Sequence, residues 1–434
     1  MKIKNLISRS LILFFAIGLV LPAFAQKNTI SYWRANDKNG INVFETTKDN
    51  DGSSDNFGVK IGGHFAQQFQ ALENENSGAT SVYELKPGFN LATANLNIDA
   101  QLADGVRLNL VTYLSSRHHP EAWVKGGYIQ FDKLPFIKGD MFSKLMESTT
   151  IKIGHMEVNY GDAHFRRTDN GNAMYNPFVG NYILDAFNTE IGGEIYYHTP
   201  SGLMFMLGLT GGEINGNVGV ARTDSLDNRA KKNPSVIGKI AYDKQINADT
   251  RLRISGSMYQ TGSSSANHIY DGDRGGSRYY LVMVPPGSRA GDRGIFPSGR
   301  YNPGFSDKVM AIQGNVFLKY KMVETFLTYE SGSGRAHAEA ETRDISQIGA
   351  EVILRFGADE NFFVGGRYNT VTADDISGTE VTIDRTQLGL GWFPINSLLL
   401  KAEYVTQNYK DFPTGSILED GKFSGFMIEA VVGF

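Results

Sequence analysis

The chain has no cysteine at all, so neither a disulfide framework nor a thiolate metal site can be built from it. It has only 13 Pro and 3 Trp in 434 residues, and beyond the N-terminus no apolar run approaches the length of a membrane-spanning helix, so a helical membrane protein is excluded by counting. Charge of one sign is also scarce. With 42 Lys and Arg against 46 Asp and Glu, the chain gives no reason to expect nucleic acid as a partner. What it does have is 49 Gly, 20 Tyr and 27 Phe at 41% hydrophobic residues, a poor recipe for a helical or doubly wound soluble enzyme. A β-barrel wall, in which only every second residue meets lipid, keeps average hydropathy near that of a soluble protein.

Residues 1–25 read as an export signal to be cleaved. Lys2, Lys4 and Arg9 precede the apolar stretch Leu11 to Leu21, and Ala23-Phe24-Ala25 is an A-x-A cleavage site before Gln26. Losing those three cations takes the formal charge from −4 to −7. No Cys follows the apolar core, which closes the lipoprotein route.

From residue 57 onward the pattern has period two, as a strand between water and lipid requires. Phe57, Val59, Ile61, Phe65 and Phe69 fall on one face, with Lys60, His64, Gln68 and Gln70 on the other. Leu96, Ile98, Ala100 and Leu102 then alternate with Asn95, Asn97, Asp99 and Gln101, and Asp104-Gly105 makes a tight hairpin before Val106. Further strands are predicted at 122–133, 149–160, 189–198, 201–213, 234–246, 249–262, 306–320, 322–333, 342–356, 361–373, 379–393, 397–409 and 421–434. Two of them, 122–133 and 149–160, have an ambiguous phase. The total is about sixteen, an even number as a closed bacterial barrel needs.

Connections should be short at the periplasmic end and long at the outer end. The predicted short ones include Asp104-Gly105, Thr199-Pro200, Asn247-Ala248, Lys321, 357–360 and 394–396; the long ones include 72–88, 161–188, 214–233 and 263–305. Two break the rule. The segment 118–121 is short where an outer loop is expected, and 134–148 is long where a turn is expected, with room for a short helix at the periplasmic rim. Tyr320, Phe356, Phe362, Trp392 and Phe393 near the short turns fit an aromatic girdle. In the last strand Phe426, Ile428, Ala430, Val432 and Phe434 share one apolar face, and the chain stops on an aromatic residue.

These features resemble the large diffusion porins of Gram-negative bacteria, in particular the sixteen-stranded general and phosphate-selective porin families, over about residues 57–434. The stretch Ile151-Lys-Ile-Gly-His-Met-Glu-Val-Asn-Tyr-Gly161 looks like the strand that enters their constriction loop. The resemblance implies a closed antiparallel transmembrane β-barrel in the outer membrane, among lipid and lipopolysaccharide. It also implies a homotrimer, an insertion machinery that reads Phe434, and a constriction loop at 161–188. That loop carries only Arg166 and Arg167, whereas phosphate selectivity goes with dense Arg and Lys ladders.

Strand parity turns Lys60, Arg107, Arg251, Arg253, Lys319, Arg355, Arg367, Arg385 and Lys401 inward, together with Asp99, Glu324, Glu330, Glu351, Glu403 and Glu429. Arg355, Arg367, Arg385 and Lys401 lie on successive strands and form either an exposed basic wall or a wall neutralised by Glu351, Glu403 and Glu429. His164, Arg166, Arg167, Asp169 and Asp185 in the loop, with Glu190 beyond it, put both signs at the narrowest point. Rings of Arg and Lys favour anions and rings of Asp and Glu favour cations, so the expected channel is weakly anion-preferring.

Enzyme chemistry finds no support in the motifs. There is no G-x-S-x-G elbow and no Ser, His and carboxylate set; His155 reads as a lumen or wall residue, and His118-His119 as a solvated loop pair. Asp271-Gly-Asp273 lacks the rest of a calcium loop, and no phosphate cradle is present, so no cofactor is expected. Residues 26–56 form either a periplasmic tail or a partial plug threaded into the lumen. The expected function is passive diffusion of small hydrophilic solutes or anions. The alternative is a surface adhesin or structural anchor with a plugged lumen.

Overall fold

Strict alternation along the chain produces one closed sheet. The computed structural model describes residues 30, 33–46, 48, 57–116, 121–214, 232–271, 280–289, 295 and 298–434. The export signal predicted over 1–25 lies outside the described residues, as do His118, His119 and Asp273. Sixteen strands follow in chain order: β1 (Gly58–Glu75), β2 (Gly88–Ala103), β3 (Val106–Ser115), β4 (Trp123–Phe131), β5 (Thr149–Glu157), β6 (Thr189–His198), β7 (Leu203–Thr210) and β8 (Ser235–Asn247). The second half comprises β9 (Thr250–Thr261), β10 (Lys308–Tyr320), β11 (Val323–Arg335), β12 (Arg343–Phe356), β13 (Phe362–Asp374), β14 (Glu380–Ile395), β15 (Leu398–Lys410) and β16 (Lys422–Gly433). Each strand pairs antiparallel with its chain neighbours, and β1 pairs with β16, so no edge is left open. At the seam the Gly63 amide donates to the Phe434 carbonyl at 3.0 Å, and the Phe434 amide donates back to Gly63 at 3.1 Å.

The outward face is apolar. Phe65, Ile312, Ile348, Leu388, Phe426 and Ile428 all point away from the lumen and are exposed, as a lipid-facing band requires. Ile348, near the middle of β12, is 53% exposed. Ile348→Arg is therefore expected to cost about 2–4 kcal/mol of folding free energy in lipid vesicles, measured by urea titration, because it puts a cation into hydrocarbon near the midplane. Phe356, Phe362 and Trp392 stack in a row at the short-turn end, with centroids 5.8 and 6.0 Å apart. Phe393 is not part of this girdle. The alternation of β14 carries through the outward Trp392, so Phe393, in phase with Arg385 and Gln387, turns inward and is buried against Phe363.

The ambiguous phase of 149–160 also has a local cause. Gly154 sits at φ +151°, where a side chain is rarely tolerated, and a Cβ there would lie 2.4 Å from the Gly127 carbonyl oxygen. The alternation breaks at that point, and Lys152 and His155, an odd number of residues apart, face the same cavity. In the long connection after β4 a short helix, α1 (Asp140–Met146), stands at the short-turn end.

Candidate functional site

A barrel of sixteen strands is wide enough for an aqueous channel, so what fills its lumen decides what it can do. Here three segments of the chain itself enter. The connection 158–188 turns inward at Gly161, where φ is +71° and a Cβ would lie 1.8 Å from Gln313 Oε1. It crosses to the far side and then runs along the wall formed by β11–β15. Parts of 262–307, notably Tyr270, Tyr280, Val282 and Tyr301, pack above it. Residues 33–46 lie inside the other end.

The loop is bound to the wall by charge. Arg166 reaches Glu324 at 2.8 Å and Glu351 at 3.0 Å, and Glu351 also pairs with Arg367 at 2.8 Å and accepts from the Tyr182 hydroxyl at 2.7 Å. Arg355 pairs with Glu324 at 2.8 Å. Lys401 pairs with Glu429 at 2.7 Å and donates to the carbonyls of Ala173, Asn176 and Phe178. Glu403 accepts from the Val179 amide at 2.8 Å and the Tyr280 hydroxyl at 2.6 Å. Arg385 donates to Gln407 and to the carbonyls of Asn181 and Gly299. Of the two wall readings the sequence leaves open, the exposed basic wall is not what the structure has: Arg367 and Lys401 pair with Glu351 and Glu429, Arg355 pairs with Glu324 instead, and Arg385 is buried against Gln407 and two loop carbonyls with no carboxylate of its own.

Elsewhere the same logic holds. Arg167 grips Asp185 with two bonds at 2.8 and 2.7 Å. Burial raises the Asp185 carboxyl, but Arg167 and Arg300 overrule it and hold it below the usual carboxylate range. Arg253 grips Asp162 with two bonds at 2.7 Å, and Arg251 pairs with Asp243 at 2.7 Å. Glu190 is buried among Tyr259, Asn188, Thr210 and the Gly212 amide.

A cavity of about 260 Å³ lies against the opposite wall, β2–β6. Among the residues predicted to face the pore, Asp99, Arg107, His164, Arg167 and Asp169 border it. Arg166, Asp185, Glu190, Arg251, Arg253, Glu351, Arg355, Arg367, Arg385, Lys401 and Glu403 do not border this cavity and instead fasten the inserted segments or the wall. The cavity also takes Arg34, Glu45, Lys125, Lys152 and Glu157, which strand parity and loop position had not singled out. Lys125 and Lys152 sit on the two strands whose phase is broken, and Arg34 and Glu45 precede the first periodic residue, so no alternation could flag them. The lining is mixed in sign: Arg34, Arg107, Lys125, Lys152 and Arg167 against Glu45, Asp99, Glu157 and Asp169. Asp99 is held by Arg107 at 3.3 Å and Asn109 at 2.9 Å, and Asp169 pairs with Lys125.

No family model matches the chain, and no curated relative matches it in sequence. Solved structures do resemble it. The anion-selective porin of Comamonas acidovorans is 10% identical, with a TM-score of 0.51 over 87% of this chain and 100% of that one. The outer membrane channel DcaP of Acinetobacter baumannii is 9% identical, with a TM-score of 0.52 over 87% of this chain and 97% of that one. The fold is that of the sixteen-stranded porins.

Proposed function

We propose that this barrel, exported by residues 1–25 and inserted in the outer membrane, is a passive channel for small hydrophilic solutes and ions. The segment 161–188 is its constriction. The observation that carries this reading is the charged, mixed-sign cavity left between the inserted loop and β2–β6. Opposed charges across a narrow passage create a transverse field that favours hydrated and dipolar solutes over apolar ones. Five cations against four acids around the cavity support a weak preference for anions. By resemblance the channel works as a homotrimer.

The refolded mature chain in a planar bilayer is expected to give stable single-channel steps, and a salt gradient is expected to give a reversal potential of weakly anionic sign. Cation preference would remove the selectivity reading. A second reading is favoured by the number of segments inside the lumen: a plugged barrel whose long outer loops bind partners at the cell surface. Absence of conductance from a correctly folded barrel would select it.

A further inference from the structure

The N-terminal segment touches the inner wall in an order that runs almost the whole way round the ring. Trp33 Nε1 donates to Asp99 on β2 at 3.1 Å. Asn36 donates to the Phe434 carbonyl beside the β1–β16 seam at 3.2 Å, and the Lys38 amide to Asn396 in the β14–β15 turn at 3.0 Å. Asn42 donates to Glu324 on β11 at 2.7 Å, and its carbonyl accepts from Arg251 on β9 at 3.0 Å. Glu45 pairs with Arg253 on β9 at 2.6 Å and Lys239 on β8 at 2.8 Å, and accepts from Asn159 beyond β5 at 2.9 Å. Lys48 donates at 2.9 Å to the carbonyls of Thr149 on β5 and Asp132 just after β4.

The contacts thus pass from β2 through β1, β16 and the lower-numbered strands to β5 and β4. Nearly all lie at the end where connections are short. Wall-hugging alone would not narrow the passage, but Arg34, Asn36, Phe44 and Glu45 also border the open cavity. Arg34 lies 3.6 Å over the Tyr175 ring and donates to the Phe165 carbonyl at 3.0 Å, joining the segment to the inserted loop.

We propose that residues 33–46 and Lys48 form a collar built into the periplasmic mouth, which sets the exit width of the channel independently of the constriction loop. Glu45 is its clasp. Burial raises the Glu45 carboxyl, yet Arg253 and Lys239 overrule it and hold it charged well below the usual range. The same two cations bind Asp162, so one ion cluster ties collar, loop and wall together.

The proposal rests on the channel reading, and the experiment separates the two. Single-channel conductance of the mature chain is compared with that of a chain lacking residues 26–48, both verified as folded by heat-modifiable migration. Loss of the collar is expected to raise conductance by about twofold or more, since it widens the mouth. Equal conductance overturns the collar and leaves the channel standing. A silent full chain with a conducting truncation overturns free diffusion through the intact protein and makes the collar a plug; two silent, folded barrels overturn both. Should the truncated chain not fold, Glu45→Gln in the full chain supplies the test. It is expected to add transitions to a second, larger level and to shift the reversal potential toward anions, as Lys239 and Arg253 lose a counter-charge. Unchanged levels and selectivity in that variant overturn the clasp.

Discussion

Replacing Glu351 with alanine is expected to cost the folded barrel about 3–5 kcal/mol, read as a lowered urea midpoint in lipid vesicles. The carboxylate is fully buried and satisfies Arg367 at 2.8 Å, Arg166 at 3.0 Å and the Tyr182 hydroxyl at 2.7 Å. Arg166 would keep Glu324, but Arg367 would be left with the Gly180 carbonyl and the Asn176 side chain as its main partners. A buried guanidinium without a counter-charge bears the desolvation penalty of its charge, whereas losing both partners together removes the imbalance. Glu351→Ala combined with Arg367→Ala is therefore expected to cost less than the sum of the two single changes. A loss below about 1 kcal/mol for Glu351→Ala would mean that water reaches this wall and that its charges behave as exposed pairs do.

That network marks the boundary of what the sequence makes legible. Alternation between lipid and water is imposed residue by residue, so strands such as Phe362–Asp374 and Lys422–Gly433 could be read directly, and the inward turn of Arg367 and Glu351 followed from parity. The failure of the pattern in β5 has a local cause, Gly154 at φ +151°, whereas the inward turn of Phe393 obeys the same alternation that turns Arg385 and Gln387 inward. Loops carry no such periodicity. Nothing in the order of residues 161–188 says that Lys401 will meet three of their carbonyls, or that the open space will be pushed toward Lys125 and Lys152. Residues 33–46 are equally silent, because a segment that follows the inner wall alternately meets strands of different register and needs no repeat of its own.

Excising the inserted part of the loop, with residues 163–186 replaced by a short Gly and Ser linker, is expected to raise single-channel conductance severalfold while the barrel still closes. The reason lies in how the pairs divide. Arg355 with Glu324, Arg367 with Glu351 and Lys401 with Glu429 are contacts between wall strands and survive the excision. Bonds lost with the loop include those from Arg166 to Glu324 and Glu351, from the Tyr182 hydroxyl to Glu351, from Arg367 and Arg385 to the Gly180 and Asn181 carbonyls, from Lys401 to the loop carbonyls and from the Val179 amide to Glu403. Stability should fall, but the wall keeps a counter-charge for each of those three cations. Its newly exposed face carries Arg355, Arg367, Arg385 and Lys401 beside Glu324, Glu351, Glu403 and Glu429, a balanced set. Ion selectivity should therefore fall toward zero as conductance rises, because solutes no longer pass within a few ångströms of the lining charges. If conductance stays at the level of the intact chain, the narrowest point is elsewhere, at the collar of residues 33–46 and Lys48 or at the inserted part of 262–307, and the collar deletion tells the two apart.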